Sequence, residues 1–204
     1  MKKRPWMVSV LSTAYDLKEY REAVIKLLRD KNFEVSAYEE PQFPVETDMH
    51  SHDSCLVALD RVDFAIVIID KRSGGTYYNI DSGEKRNSIT EKEYFKAIER
   101  GIPIYCFVNQ KAYDELHAYK MGYKKFCEKN NYNSKEVDEQ QKYKEKYNKE
   151  YICTYVENIQ TLLFIDEIQN SYKNYSVSNW MDFFTNIETF LEEVKGKLLG
   201  YYRK

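Results

Sequence analysis

The side chains of this sequence that can do chemistry fall into three short groups. They are Ser12, Thr13 and Tyr15; Asp70, Arg72, Gly74, Gly75 and Tyr77; and Glu91 with Glu93. Ser12 and Thr13 can donate hydroxyl hydrogen bonds to a phosphate or a ribose, beside backbone N–H groups at a helix start. Gly74-Gly75 allows close backbone approach and positive φ. Arg72 can grip a phosphate through two parallel hydrogen bonds, and Tyr15 or Tyr77 can stack on a base. The two glutamates compete for one duty. Ser88-Ile89-Thr90-Glu91 has capping-box spacing, and so has Thr90-Glu91-Lys92-Glu93, shifted by two. Whichever glutamate closes the box, the other is left free; with Ser88 as the cap, the free carboxylate is Glu93. A free carboxylate there can stabilise an oxocarbenium-like ribosyl centre or attack it as a nucleophile, as in glycoside cleavage. One carboxylate suffices when the leaving group is a cationic pyridinium. Each piece also has a plainer use: Ser-Thr before a helix caps it, and a Gly pair makes a turn.

An open parallel sheet would bring these groups together. Residues 7–13 form a short strand, and Asp16 opens a helix to about residue 30, with Glu19 completing a capping box. Arg21 falls on the apolar stripe of that helix. A buried arginine needs a partner, so Arg21 is expected in a structural ion pair with a carboxylate near the crevice. Residues 33–38 form a second strand, Cys55, Leu56 and Leu59 mark a short helix, and residues 63–70 form a third strand. The continuous β-branched run in this third strand suits a strand buried on both faces. After a long loop at 71–87 come a helix at 89–100, closed by Gly101, and a strand at 103–108.

Strands alternating with helices predict an α/β fold with an open doubly wound parallel sheet. The order expected is 2-1-3-4, with a candidate fifth strand at 151–156. Ligands of such sheets bind outside the carboxyl ends of strands where neighbouring connections diverge, which here lies between strands one and three. Residues 1–108 make this core. Residues 109–150 are a charged, Tyr-rich helical arm: a helix at 112–129, a break at 130–133 and a polar stretch at 134–150. The arm is either a solvated surface or a site for a partner protein or a second copy. Residues 151–204 form a helical C-terminal extension, with helices at 159–168 and 180–199 that pack back on the core.

Composition narrows the function classes. With 31 Lys and Arg against 33 Asp and Glu, the net charge of -2 supplies no field for nucleic acid. No apolar run is long enough to span a bilayer, and the basic start lacks the apolar stretch of a signal peptide, so a cytoplasmic protein is expected. Its four cysteines are widely spaced, as reduced thiols are. His50 and His52 lie near Asp48 and Asp53, but the third histidine is His117; a polar loop or cap is expected there, and no metal. The absence of a Walker loop and of GxGxxG argues against a P-loop NTPase and a dinucleotide dehydrogenase.

Val8-Ser9-Val10-Leu11-Ser12-Thr13-Ala14-Tyr15-Asp16-Leu17, followed by Arg21-Glu22-Ala23-Val24, resembles the opening of the bacterial domain of unknown function 4062. Cys55 before Ala58-Leu59, Asp63 with its strand, Ser88-Ile89-Thr90-Glu91-Lys92-Glu93-Tyr94, and Ala97, Gly101 and Pro103 fit the same pattern. The resemblance implies a flavodoxin-like fold, similar to Toll/interleukin-receptor (TIR) domains and nucleoside deoxyribosyltransferases. It also implies that Glu93, with Ala97 four residues on, sits where the glutamate of TIR NADases falls. The implied activity is cleavage of an N-glycosidic bond of NAD(P), a nucleotide or a nucleoside, in bacterial antiphage defence or stress signalling. NAD or a nucleotide would then be substrate or ligand, with no separate cofactor. The family's usual GxRYG after strand three reads Lys71-Arg72-Ser73-Gly74-Gly75-Thr76-Tyr77 here. A nucleotide-sensing or protein-interaction module without turnover is the alternative.

Overall fold

A computed structural model describes residues 4–39, 43, 51–78, 85–171 and 179–202; the side chains of 51, 52, 76–78, 85–87, 179 and 202 are outside that description. In chain order the elements are β1 (Met7–Leu11), α1 (Lys18–Asp30), β2 (Glu34–Ser36), α2 (Ser51–Ala58) with a short 3-10 turn, and β3 (Phe64–Ile69). There follow β4 (Thr76–Tyr78), β5 (Lys85–Ser88), α3 (Ile89–Glu99), β6 (Ile104–Asn109), α4 (Gln110–Lys129) and α5 (Val137–Glu150). The chain closes with α6 (Ile159–Ser171), β7 (Asn179–Phe184) and α7 (Ile187–Tyr202).

Five strands form one sheet in the order β2-β1-β3-β6-β7, every neighbouring pair parallel. This is the doubly wound α/β architecture expected from the alternation of elements. β3 lies at its centre, and all six of its residues are buried. Its side chains alternate: Phe64, Ile66 and Ile68 face a core completed by α1 and α7, while Ala65, Val67 and Ile69 face one completed by α3, α4 and α6. Successive strand residues point to opposite faces, so one apolar run serves two cores.

The fifth strand is not at 151–156. That segment joins no strand: the N–H of Tyr151 goes back to Tyr147 O, and Glu115 on α4 accepts from the backbone of Thr154, Tyr155 and Val156, which lie in a bend. The edge of β6 is instead filled by β7, where a helix is expected from the sequence. The helix begins only after Asn186, whose Oδ1 accepts from the N–H of Thr189 at 2.9 Å while Thr189 Oγ1 accepts from the N–H of Asn186. The loop expected at 71–87 contains β4 and β5, which pair antiparallel. The Asp16 capping box at the start of α1 does not form; Leu17 occupies the cap position with no side-chain bond. In the arm, α4 buries Ala112, Leu116 and Tyr119 in the core, whereas α5 buries Tyr147 alone among its residues. None of the described helices is long and apolar enough to cross a membrane.

Candidate active site

β1 and β3 are adjacent and parallel, so their carboxyl ends open onto the same side of the sheet. α1 leaves β1 for one face, and α3 lies on the other. A cleft of about 440 Å³ opens at this divergence. Ser12, Thr13 and Tyr15 line it from the end of β1, Arg72, Gly74 and Gly75 from the segment after β3, and Thr90 and Glu93 from the first turns of α3. Segments distant in sequence thus meet because the topology brings their ends together.

The start of α3 decides which glutamate is free. Ser88 is the cap: its hydroxyl accepts from the N–H of Glu91, and Glu91 Oε2 accepts from the N–H of Ser88 at 3.2 Å. Glu91 also receives Ser73 Oγ and Gln160 Nε2, is fully buried, and does not line the cleft. Burial pushes its carboxyl above the ordinary value while these donors pull it back. Glu93, two residues on, lines the cleft at 9% exposure, and no hydrogen-bond partner reaches its carboxyl among the described residues. Burial raises it to about 8, against a smaller pull downward from the Arg21 charge. Three cleft-lining hydroxyls, those of Thr13, Ser54 and Thr90, are also buried with no partner among the described residues. Unsatisfied buried polar atoms are rare in folded proteins; here three meet one unpaired carboxyl in one cavity.

The other candidate residues divide. Arg21 is 2% exposed and forms an ion pair with Glu39, its Nη2 to Oε2 distance being 2.6 Å. Its Nη1 donates to Val10 O and Ser12 Oγ, which turns the Ser12 hydroxyl's oxygen toward the arginine. Burial pushes Glu39 up, but the hydrogen bond and charge of Arg21 outweigh this and hold it low. Gly74 has φ of +113°, and a Cβ there would stand 2.9 Å from Thr90 Oγ1. Gly75 has open space, and its carbonyl accepts from the N–H of Ile89, tying the loop to the start of α3. Arg72 reaches the cleft but also pairs with Glu157 at 3.2 Å. Asp70 does not line the cleft; its Oδ1 accepts from Tyr155 OH at 2.6 Å. The side chain of Tyr77, the side chain of His52, and residues Asp48 and His50 lie outside the described residues. No cluster of metal-holding geometry occurs among the described residues.

Sequence reasoning missed the wall contributed by α2 and the residues after β2. Ser54 and Cys55 face the cleft, as do Tyr38 and Asp16, the latter expected to cap α1. Burial and the nearby Glu93 push the Cys55 thiol up to about 12, so it holds its proton and is no nucleophile.

A sequence profile of the family described as Domain of unknown function (DUF4062) matches residues 7–163. The chain belongs to this family. The stretch matched to DUF4062 carries every residue that lines the cleft. No protein with a curated description matches the chain. Solved structures that align with this DUF4062 chain include the Clostridium botulinum CMP N-glycosidase BcmB, at 14% identity and a TM-score of 0.48 over 94% of this chain and 99% of that one. A conserved protein from Enterococcus faecalis V583 aligns at 13% identity, a TM-score of 0.42, and 95% and 99% coverage. The TIR domains of the activated Roq1 resistosome align at 10% identity, a TM-score of 0.45, and 95% and 99% coverage. These likenesses assign no activity to the chain.

Proposed function

We propose that this protein cleaves the N-glycosidic bond of a nucleotide-type substrate, NAD(P) or a nucleotide or nucleoside, with Glu93 as the group that meets the ribosyl centre. The observation that carries this reading is the buried carboxyl of Glu93, unpaired among the described residues, facing a cleft with three hydroxyls that also lack a partner among them. In the reaction the C1′–N bond breaks and its electron pair leaves with the base. Positive charge then grows at C1′ and the ring oxygen. An anionic Glu93 attracts that charge more strongly than it attracts a neutral ribose, which is the differential binding a catalyst needs. Water adds to C1′ and its proton passes to the carboxylate or to solvent. A pyridinium base departs neutral and needs no acid; a purine or pyrimidine base leaves as an anion and takes up the proton that the attacking water releases.

Burial favours the protonated form of Glu93 at neutral pH, its value being about 8. A cationic ligand beside this buried carboxyl would draw that proton off, since an opposite charge favours the ionised form. Ser12, Thr13, Ser54 and Thr90 would hold ribose hydroxyls or phosphate, and Tyr15 or Tyr38 would stack on a base. The setting of the activity, on this reading, is the bacterial cytoplasm in antiphage defence or stress signalling, with the 109–150 arm as a surface for a partner or a second copy. The raised value of Glu93 also favours a second reading: a neutral carboxyl can donate a hydrogen bond, as a nucleotide sensor without turnover would use it.

Incubation with NAD, NADP, nucleoside monophosphates and nucleosides, followed by chromatography of the free base, separates the two. Base release that falls roughly 10²-fold or more in Glu93→Gln supports the enzyme. Tight binding of one nucleotide with no release of base supports the sensor, and equal release by both proteins removes Glu93 from the chemistry.

A further inference from the structure

Past Tyr15 and Tyr38 the Glu93 cleft continues into a second groove of about 540 Å³, which the reaction outlined above leaves unused. Its floor is the outer stripe of α1, where Lys18, Glu22, Ile25, Lys26 and Arg29 recur at helical spacing. At 1.5 Å of rise per residue, Lys18 to Arg29 spans about 16 Å. Three cations therefore face the groove against two carboxylates, Glu22 and Glu39. Glu39 is already committed to Arg21. Glu22 makes a loose 3.7 Å contact with Lys18, both ends largely in water. With Glu39 committed, Lys18 and Lys26 outweigh Glu22 along the groove. At the junction with the cleft stand two exposed rings, Tyr15 at 93% and Tyr38 at 56%, faces on which a base can stack.

We propose that this groove holds the diphosphate and distal nucleoside of a dinucleotide whose ribosyl end sits at Glu93. The preferred ligand class is then a dinucleotide diphosphate rather than a free nucleoside; the proposal rests on the nucleotide reading of the cleft. The diphosphate meets Lys18 and Lys26, and the distal base lies against Tyr15 or Tyr38. Because these cations are exposed, their attraction is screened by salt.

Calorimetric titration of the full chain with ADP-ribose and with ribose 5-phosphate tests this. Wild type is expected to bind ADP-ribose at least roughly tenfold more tightly than ribose 5-phosphate, with the gap narrowing as salt rises. The double charge reversal Lys18→Glu/Lys26→Glu lies on the exposed face of α1. It is expected to weaken ADP-ribose roughly tenfold and to weaken ribose 5-phosphate, which carries only the proximal phosphate, by less. Equal affinity for the two probes, indifference of ADP-ribose to the reversal, or no binding of either overturns the proposal. Turnover distinguishes this failure from that of the glycosidase reading. Base release that needs Glu93 but is equally efficient from a dinucleotide and its mononucleotide half sinks the groove alone. Charge-dependent ADP-ribose binding with no base release sinks the glycosidase alone.

Discussion

Glu93 carries a clear electrostatic cost at the site, because its carboxyl is buried and only the charge of Arg21 offsets the loss of water. An ionised carboxylate in such a place is costly, so it keeps its proton well above the ordinary value of 4.5. Between about 4.5 and about 8 the folded protein thus holds a proton that the unfolded chain has released. Stability then falls as pH rises through that window, by a few kcal/mol in full. Glu93→Gln has no such group. Its melting temperature should match wild type near pH 4.5 and exceed it progressively up to pH 8; a difference that is flat with pH contradicts the assigned ionisation. The same group predicts that kcat/KM for base release climbs toward pH 8 before levelling. At this scale the sequence showed Arg21 as a charge on an apolar stripe, and reduced Glu91 and Glu93 to a choice. It did not show Ser54 or Cys55, because polar residues in a short helix carry no mark until the helix is placed against a cleft.

The segments that hold these side chains are held by a few specific contacts. Gly74 adopts a backbone conformation that only glycine takes freely, with Thr90 Oγ1 in the way of any Cβ. Gly74→Ala should cost about 1–3 kcal/mol in denaturant unfolding and weaken nucleotide binding, whereas Gly75→Ala, with open space, should change stability little. Glu115 binds the backbone of residues 154–156, and Tyr155 in turn donates to Asp70 at the end of β3. Burial pushes Glu115 up, but those backbone donors prevail and hold it low. Its stabilisation is therefore present above the ordinary carboxylate value and lost as pH falls through the folded one. Glu115→Ala should cost about 1–3 kcal/mol near pH 7, and the cost should shrink as pH falls below the ordinary carboxylate value; a cost that does not change on acidification contradicts the role. The apolar, β-branched β3 and the capped, periodic α3 were legible in the sequence. The fifth strand was not, since Tyr151, Ile152 and Val156 have strand-like side chains, but the N–H of Tyr151 goes to Tyr147 O and those of residues 154–156 go to Glu115. Trp180, Met181, Phe183 and Phe184 suit a strand as well as a helix, and the Asn186 cap that separates β7 from α7 is a short-range signal easily passed over.

Across the whole molecule, the sheet is closed by the part of the chain beyond the family match, which ends at residue 163. β7 covers the edge of β6, and α7 lays Phe190, Val194 and Leu198 over Phe64, Ile66 and Phe107. Tyr201 stacks on Phe64 with ring centroids 4.4 Å apart. A chain ending at Ser171 bares that apolar face and an unpaired strand edge, so it should aggregate or lose cooperative unfolding; a soluble, cooperatively melting product would contradict the two-core description. The alternation of strands and helices predicted this architecture from residues 7 to 108, and with it the position of the cleft, because a switch point follows from strand order alone. The central claim is narrower: an unpartnered acid in that cleft breaks the bond between a ribose and its base. The most direct measurement is the amount of free base released from one nucleotide by wild type and by Glu93→Gln, both confirmed folded, in identical incubations at pH 8. The account predicts steady release by wild type and roughly 10²-fold less by the variant; matching release from the two proteins would contradict it.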